Sequence, residues 1–305
     1  MSESFDFSVI VPTCNRGEQL GVCLRALWAL DFPGSGFEII VVDDASAVAA
    51  EESVSGVGGG VRTSFVRLPR NEGPAAARNH GARQAKGRYL AFTDDDCRSA
   101  PDWLKLLKQC AESAPGRAIG GRIVDEHPER VCSAASQAIF DAVYGYYNAD
   151  RRTARFFAAA NLAVPAGLFR EGGGFDPAYR TSEDREFCAR WLRRGYGLVY
   201  VPEAVVVHDT PAGFWKFCRR HYHYGEGAYR FRRQQALEES APLRLEGQGF
   251  YRRLLRSPFA QAPLPRATLT AVLVLISQIA SALGFVREFL RQRCAGPQTS
   301  AGRTG

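Results

Sequence analysis

The chain has 305 residues, 46% hydrophobic and 23% charged, a composition that fits a folded globular protein and excludes a disordered or fibrous one. Formal net charge is +7, and the excess gathers late, in Arg219-Arg220, Arg232-Arg233 and Arg252-Arg253, so an anionic partner, membrane or nucleic acid, is expected there. Eight cysteines with no CxxC pair and no zinc-like spacing exclude a disulfide framework and read as free thiols in a reducing compartment.

The N-terminus is acidic and runs straight into a strand, so no signal peptide is expected. Phe7–Val11 is a short β-rich run closed by Pro12, and Leu20, Leu24 and Leu27 then recur at helical spacing. Phe37–Val42 is the next strand and ends in Asp43-Asp44. The glycine-rich stretch Val54–Gly60 reads as a flexible surface connection and lacks the GxGxxG order of a dinucleotide site. Thr63–Leu68 is a third strand, Pro74–Lys86 a helix with proline in its first turn, and Arg88–Phe92 a fourth strand. Strands alternating with helices predict βαβ units, hence an α/β, Rossmann-like, mostly parallel sheet flanked by helices.

From Pro101 a helix through Trp103, Leu106 and Leu107 leads to strands at Ala118–Val124 and Phe156–Val164. Glu183–Arg194 reads as a helix stopped by Gly195, and short strands Leu198–Val201 and Ala204–Val207 flank Pro202. Arg266 and Arg287 bracket a charge-free run, residues 267–286, just long enough to cross a bilayer. It reads as a spanning or interfacial helix whose flanking arginines attract anionic lipid, or else as a buried helix. The residues after Cys294 are expected to be disordered. The expected organisation is a catalytic unit over 1–210 (a nucleotide-binding half, 1–100, and an acceptor half, 101–210), a basic helical extension over 211–265, the membrane helix over 266–290 and a tail over 291–305.

The residues suited to chemistry fall at or just after strand ends, where open α/β sheets bind ligands. Asp94-Asp95-Asp96 packs three carboxylates into one turn after Tyr89–Phe92, which points to Mg²⁺ or Mn²⁺ bridging to phosphate, or simply to a solvated or capping turn. The turn at Thr13 offers small polar groups for a base or phosphate, or a helix cap. Asp43 and Asp44 suit a nucleobase imide or a ribose, or again a cap. Arg78, on a helix face of small residues, suits a diphosphate or the solvent. His208 can join a mixed metal site. Asp184 opens a helix after Thr181-Ser182, where an acid meets the helix dipole or serves as a general base for a hydroxyl.

In order, the segments Ser8-Val-Ile-Val-Pro-Thr-Cys-Asn-Arg16, Val41-Val-Asp-Asp-Ala-Ser46, Asn71-Glu-Gly-Pro-Ala-Ala-Ala-Arg-Asn79, Ala91-Phe-Thr-Asp-Asp-Asp96, Gly173-Gly-Phe-Asp176 and Ser182-Glu-Asp-Arg-Glu-Phe187 resemble glycosyltransferase family 2, over about the first 210 residues. The resemblance implies a GT-A fold and an inverting transfer of sugar from a nucleotide-diphosphate donor, such as a UDP-sugar, to a saccharide or lipid-linked acceptor. It implies roles for Thr13 at the nucleotide, Asp44 at uracil with Asp43 beside it, and Arg78 near the diphosphate. Asp94 or Asp95 would meet the ribose or sugar, Asp96 the metal with His208, and Asp184 would be the base. Cys97 stands where many relatives carry a further acid. The expected location is the cytoplasmic face of a bacterial inner membrane. A polyprenyl-phosphate sugar synthase and a non-catalytic nucleotide-sugar binding subunit stay open as alternatives. No nucleic-acid-reading motif accompanies the basic C-terminal third, so nucleic acid is not an expected partner.

Overall fold

Side chains along the first strand alternate between two cores. In β1 (Phe7–Thr13) Phe7, Val9 and Val11 join one buried cluster and Ile10 another, the two-residue period of a strand covered on both faces. In β2 (Phe37–Asp43) Ile39 and Val41 face the first cluster, Ile40 and Val42 the second. The computed structural model describes residues 5–55, 59–210, 213–240, 242–243, 245–260 and 262–294. Part of the glycine-rich connection and the tail beyond Cys294 lie outside them.

The remaining strands are β3 (Thr63–Arg67), β4 (Tyr89–Phe92), β5 (Cys97–Ser99), β6 (Ala118–Asp125), β7 (Leu162–Pro165) and β8 (Leu198–His208). They form one sheet in the order β3-β2-β1-β4-β7-β6-β8-β5. β7 runs antiparallel to both neighbours and β5 antiparallel to β8, so the other six strands share one direction. Their C-terminal ends therefore collect on one edge. Register there sets Thr13 beside Asp43 and Cys97 beside His208.

On one face, α1 (Gly17–Trp28) and α4 (Trp103–Ser113) bury Leu20, Leu24, Leu27, Leu104 and Leu107. The short α2 (Ala50–Ser53) follows β2. On the other face lie α3 (Pro74–Gln84), α6 (Ala166–Glu171) and α7 (Glu183–Arg193). The small-residue face of α3 allows close approach, since a Cβ on Gly81 would fall 2.7 Å from Ile10 Cγ2.

Two strand expectations differ from what forms. Leu198–His208 is a single strand, because Pro202-Glu203-Ala204 bulges out between residues paired with Gly121 and with Arg122. The buried Asn161 amide holds the bulge, donating to the Ala204 and Arg122 carbonyls at 2.9 and 3.0 Å. Of Phe156–Val164 only the end is strand. Its aromatic start instead packs Phe156 and Phe157 into the core against Tyr144, and Ala159–Asn161 is a single 3₁₀ turn.

The C-terminal part adds α5 (Val131–Tyr147), α8 (Phe214–Glu238), α9 (Gln248–Arg256) and α10 (Leu264–Cys294) around a third cluster built on Ala138, Phe217, Phe250, Leu254, Leu273 and Val274. α8 carries two glycines two residues apart, which face opposite sides of the helix. A Cβ on Gly225 would fall 1.9 Å from the Ser281 carbonyl of α10, and one on Gly227 2.4 Å from Thr181 Oγ1, just before α7. α10 is long and apolar enough to be a candidate membrane segment, with one face buried in the protein and the other exposed.

Candidate active site

The acid turn after β4 is held by hydroxyl and guanidinium donors. Asp95 is buried, accepting from Thr13 Oγ1 at 2.7 Å and from Arg16 Nη1 at 2.9 Å. Burial pushes its pKa up to about 6 against the pull of Arg16 and Thr13. Asp96 accepts from the same Arg16 nitrogen at 2.6 Å and lies 3.2 Å from His208 Nε2. Burial opposes its charge, but the His208 hydrogen bond and charge, then Arg16, hold it down to about 2. For His208 burial favours the neutral ring, and the adjacent Asp96 outweighs it and raises the pKa. Arg16 was quoted in the sequence without a role. Its link to the turn runs across 79 and 80 residues and has no local signature.

Oxygen, sulfur and nitrogen atoms of Asp96, Cys97 and His208 lie within 4.8 Å of one another. Cys97 is fully buried, which pushes its thiol pKa well above the ordinary value, so it stays protonated and ill suited to a hard cation. Asp96 and His208 are therefore the pair that could hold Mg²⁺ or Mn²⁺.

Arg78 does not reach solvent. It is buried, donating through Nη2 to Asp94 Oδ1 at 2.5 Å and through Nη1 to Glu183 Oε1 at 2.8 Å. One guanidinium thus ties the acid turn to the start of α7, across 105 residues of sequence from Glu183. Asp184 follows immediately. Its Oδ1 accepts from the Arg185 amide at 2.8 Å, and burial, then the neighbouring Glu183 charge, push its pKa up to about 7. Ser182, just before the helix, sits in the left-handed region at φ 68°, under the close pass of Gly227.

Asp43 and Asp44 organise the neighbouring loops. Asp43 accepts from the amides of Ser46 and Ala50 at 2.8 and 3.0 Å and so caps α2. Asp44 accepts from the amides of Glu72 and Gly73 at 2.7 and 2.8 Å, fixing the entry to α3. Each retains acceptor capacity, since a carboxylate offers about four lone-pair sites. α8 also approaches the cleft. Tyr224 is half exposed, and desolvation at its phenol, opposed by Arg220 and aided by the charges of Asp184, Glu183 and Asp94, raises its pKa, while the charge of Arg220 lowers that of His208. Arg220 was legible in the sequence only as part of the basic C-terminal third.

The model of the family described as glycosyl transferase family 2 matches residues 8–170. Similar proteins include the pre-mycofactocin glycosyltransferase of Mycobacterium tuberculosis, 28% identical over 73% of this chain and 47% of that one, so the chain spans about half the length of that relative. Glycosyltransferase AglE of Haloferax volcanii is 24% identical over 72% of each. Among solved structures, the mannosyltransferase PcManGT from Pyrobaculum calidifontis, in complex with GDP-Man and Mn²⁺, superposes with a TM-score of 0.68 at 19% identity, over 95% of this chain and 89% of that one. Staphylococcus aureus TarS residues 1–349 with UDP-GlcNAc gives 0.55 at 17% identity, over 95% and 92%. These likenesses show a GT-A-like α/β fold, and the family match over residues 8–170 shows that the chain belongs to glycosyl transferase family 2.

Proposed function

We propose that the protein is an inverting glycosyltransferase, moving a sugar from a nucleotide-diphosphate donor, in our reading a UDP-sugar, to a hydroxyl of a saccharide or lipid-linked acceptor at the cytoplasmic face of a bacterial inner membrane. The catalytic work falls to residues 1–210, with 211–265 and 266–290 as basic extension and membrane segment. The observation that carries the reading is the Arg78 bridge, which sets the acid turn and the Glu183-Asp184 pair at one place.

A divalent ion held by Asp96 and His208 would neutralise the departing diphosphate. Thr13, Asp43 and Asp44 line the nucleotide side, with Asp44 toward the base. Asp94 or Asp95 meets the ribose or sugar, and Arg78 serves the donor by orienting Asp94. Asp184 takes the acceptor's proton as its oxygen attacks the anomeric carbon opposite the leaving diphosphate, which inverts that centre. A pKa near 7 leaves Asp184 partly ionised at neutral pH and a competent proton acceptor.

A panel of nucleotide sugars with Mn²⁺ or Mg²⁺, read by released nucleotide, tests this. One or more UDP-sugars are expected to turn over with a glycosidic product. A sugar–phosphate–lipid product would instead make it a polyprenyl-phosphate sugar synthase, and tight UDP binding without turnover on any acceptor would make it a binding subunit.

The base also sets a pH profile. Asp184 must be ionised, so activity is expected to fall as pH drops through about 7. Glu183 contributes to that elevation by its charge, so Glu183→Gln lowers the Asp184 pKa and moves the acid limb to lower pH. A limb unmoved in Glu183→Gln contradicts the assignment of Asp184 as the titrating base.

A further inference from the structure

We infer that α10 docks in the plane of an anionic lipid surface and does not cross the bilayer. This deepens the membrane association proposed above and rests on it. The exposed side of the helix is one apolar stripe: Leu269, Val272, Leu275, Ile279, Leu283 and Val286 recur every three or four residues and are each 45–61% exposed. It runs for about 26 Å along the helix at 1.5 Å per residue.

The opposite side is committed to the protein. α8 packs alongside, close enough that Gly225 meets the Ser281 carbonyl and a Cβ on Gly284 would fall 1.9 Å from the Tyr222 carbonyl. Further along, Arg230 of α8 pairs with Glu288 of α10 at 2.8 Å, and Arg291 Nε also reaches Glu288 at 2.8 Å. Glu288 is buried. α8 itself carries Lys216, Arg219, Arg220, Arg230, Arg232 and Arg233. Were α10 to span in this packing, Lys216, Arg219 and Arg220, on the part of α8 beside Leu273–Ser281, would be drawn toward hydrocarbon, at about 2.5–3.5 kcal/mol for each arginine or lysine near the centre. Lying flat, the stripe enters the acyl boundary and the charged helix stays on the wet side.

Charge selects the surface. From residue 248 to 294 the sequence holds seven arginines and one acid, Glu288, which is already paired. Arg287 and Arg291 at the end of the helix pair with Glu226 and Glu288 yet keep side chains 60 and 58% exposed, and Arg252 and Arg256 are exposed on α9. Arginines beside an apolar stripe match anionic headgroups. The orientation also reaches the chemistry, because α8 lies between α10 and the turn at Thr181 that precedes Asp184.

Flotation of the full chain with vesicles of phosphatidylcholine, alone or mixed with phosphatidylglycerol, tests association. Binding is expected only with phosphatidylglycerol and is expected to weaken with salt. The double variant Ile279→Asp/Leu283→Asp is expected to lose roughly a hundredfold in partitioning, since two aliphatic side chains leave the apolar phase. Both positions are exposed, so its melting curve should match the wild type. Depth is read by single tryptophans, Leu269→Trp, Ile279→Trp and Val286→Trp, quenched by lipids brominated at shallow or deep acyl positions, relative to the wild-type protein. Equal shallow quenching at all three is the expected result. Deep quenching at 279 with shallow quenching at 269 and 286 would overturn the in-plane orientation and leave association standing. Failure to float with either vesicle, or a concentration-dependent dimer in buffer that the double variant abolishes without any flotation, would overturn association itself.

Discussion

Asp184→Asn is expected to lower the transfer rate by about 10²–10⁴-fold, the usual contribution of a positioned general base. The change is nearly isosteric. The side-chain oxygen that accepts from the Arg185 amide is kept, so α7 should start where it does now. The loss should fall on kcat, with donor affinity close to wild type, because in the proposed mechanism Asp184 serves the acceptor hydroxyl and Asp96 the donor. The residual activity should also lose its acid limb near pH 7, since the group that titrates there is gone. Stopped-flow or steady-state release of nucleotide across pH, on the best donor and acceptor found, measures both effects.

Arg78→Met carries the second large effect, and it falls first on stability. Methionine fills the volume but supplies no donor, so Asp94 and Glu183 are left facing each other without the cation between them. Removing one member of a buried charged set costs about 3–5 kcal/mol, because the remaining charge keeps its desolvation penalty without a partner. Chemical denaturation should show that loss. Adding Glu183→Gln removes one of the two stranded charges, and the double variant should recover part of the stability, a coupling that a double-mutant cycle isolates. The pH profile separates this from general damage. In Arg78→Met the uncompensated Glu183 charge raises the Asp184 pKa further and moves the acid limb up, opposite in sign to Glu183→Gln alone. A limb that moves the same way in both variants contradicts the bridge.

Much of this site was legible in the sequence because its acids follow apolar runs directly. Asp43-Asp44 closes Phe37–Val42 and Asp94–Asp96 closes Tyr89–Phe92, and parallel strands must carry such ends to a common edge. The β-rich run at Phe7–Val11 likewise marked a strand, though that it is covered on both faces shows only in the fold. What remained hidden depends on partners far along the chain. The β5 strand exists because Cys97–Ser99 pairs with Val206–His208, and nothing local in Cys-Arg-Ser marks it. The aromatic run at Phe156 carried a β-like composition, but burial against Tyr144 and α7 outweighed strand pairing there. The bulge at Pro202 joins two expected strands because Asn161, 43 residues before Ala204, donates to the Ala204 carbonyl in the bulge and to the Arg122 carbonyl on the paired strand.

Arg78 and Arg16 show the same limit within the site. Sequence position put Arg78 near a diphosphate. In the fold both of its terminal nitrogens are taken by carboxylates, and in the proposed mechanism it serves the donor by holding Asp94. Arg16, three residues beyond Thr13, proves to be the cation shared by Asp95 and Asp96, with its side chain 42% exposed. The mostly parallel α/β sheet could be inferred from pattern, and the GT-A-like fold from the family resemblance. Which cation serves which acid follows only from where the strands and helices meet.

The central claim is that two acid groups distant in sequence divide one reaction, Asp96 on the donor's diphosphate side and Asp184 on the acceptor's. Titration calorimetry of UDP in the presence of Mn²⁺, for the wild type, Asp96→Asn and Asp184→Asn, tests it most directly when each protein's turnover is measured alongside. The expected pattern is a split: Asp96→Asn loses the Mn²⁺-dependent part of UDP affinity together with turnover, while Asp184→Asn binds UDP like the wild type and does not turn over. Near-normal turnover in both variants, or UDP affinity unchanged in Asp96→Asn, would contradict it.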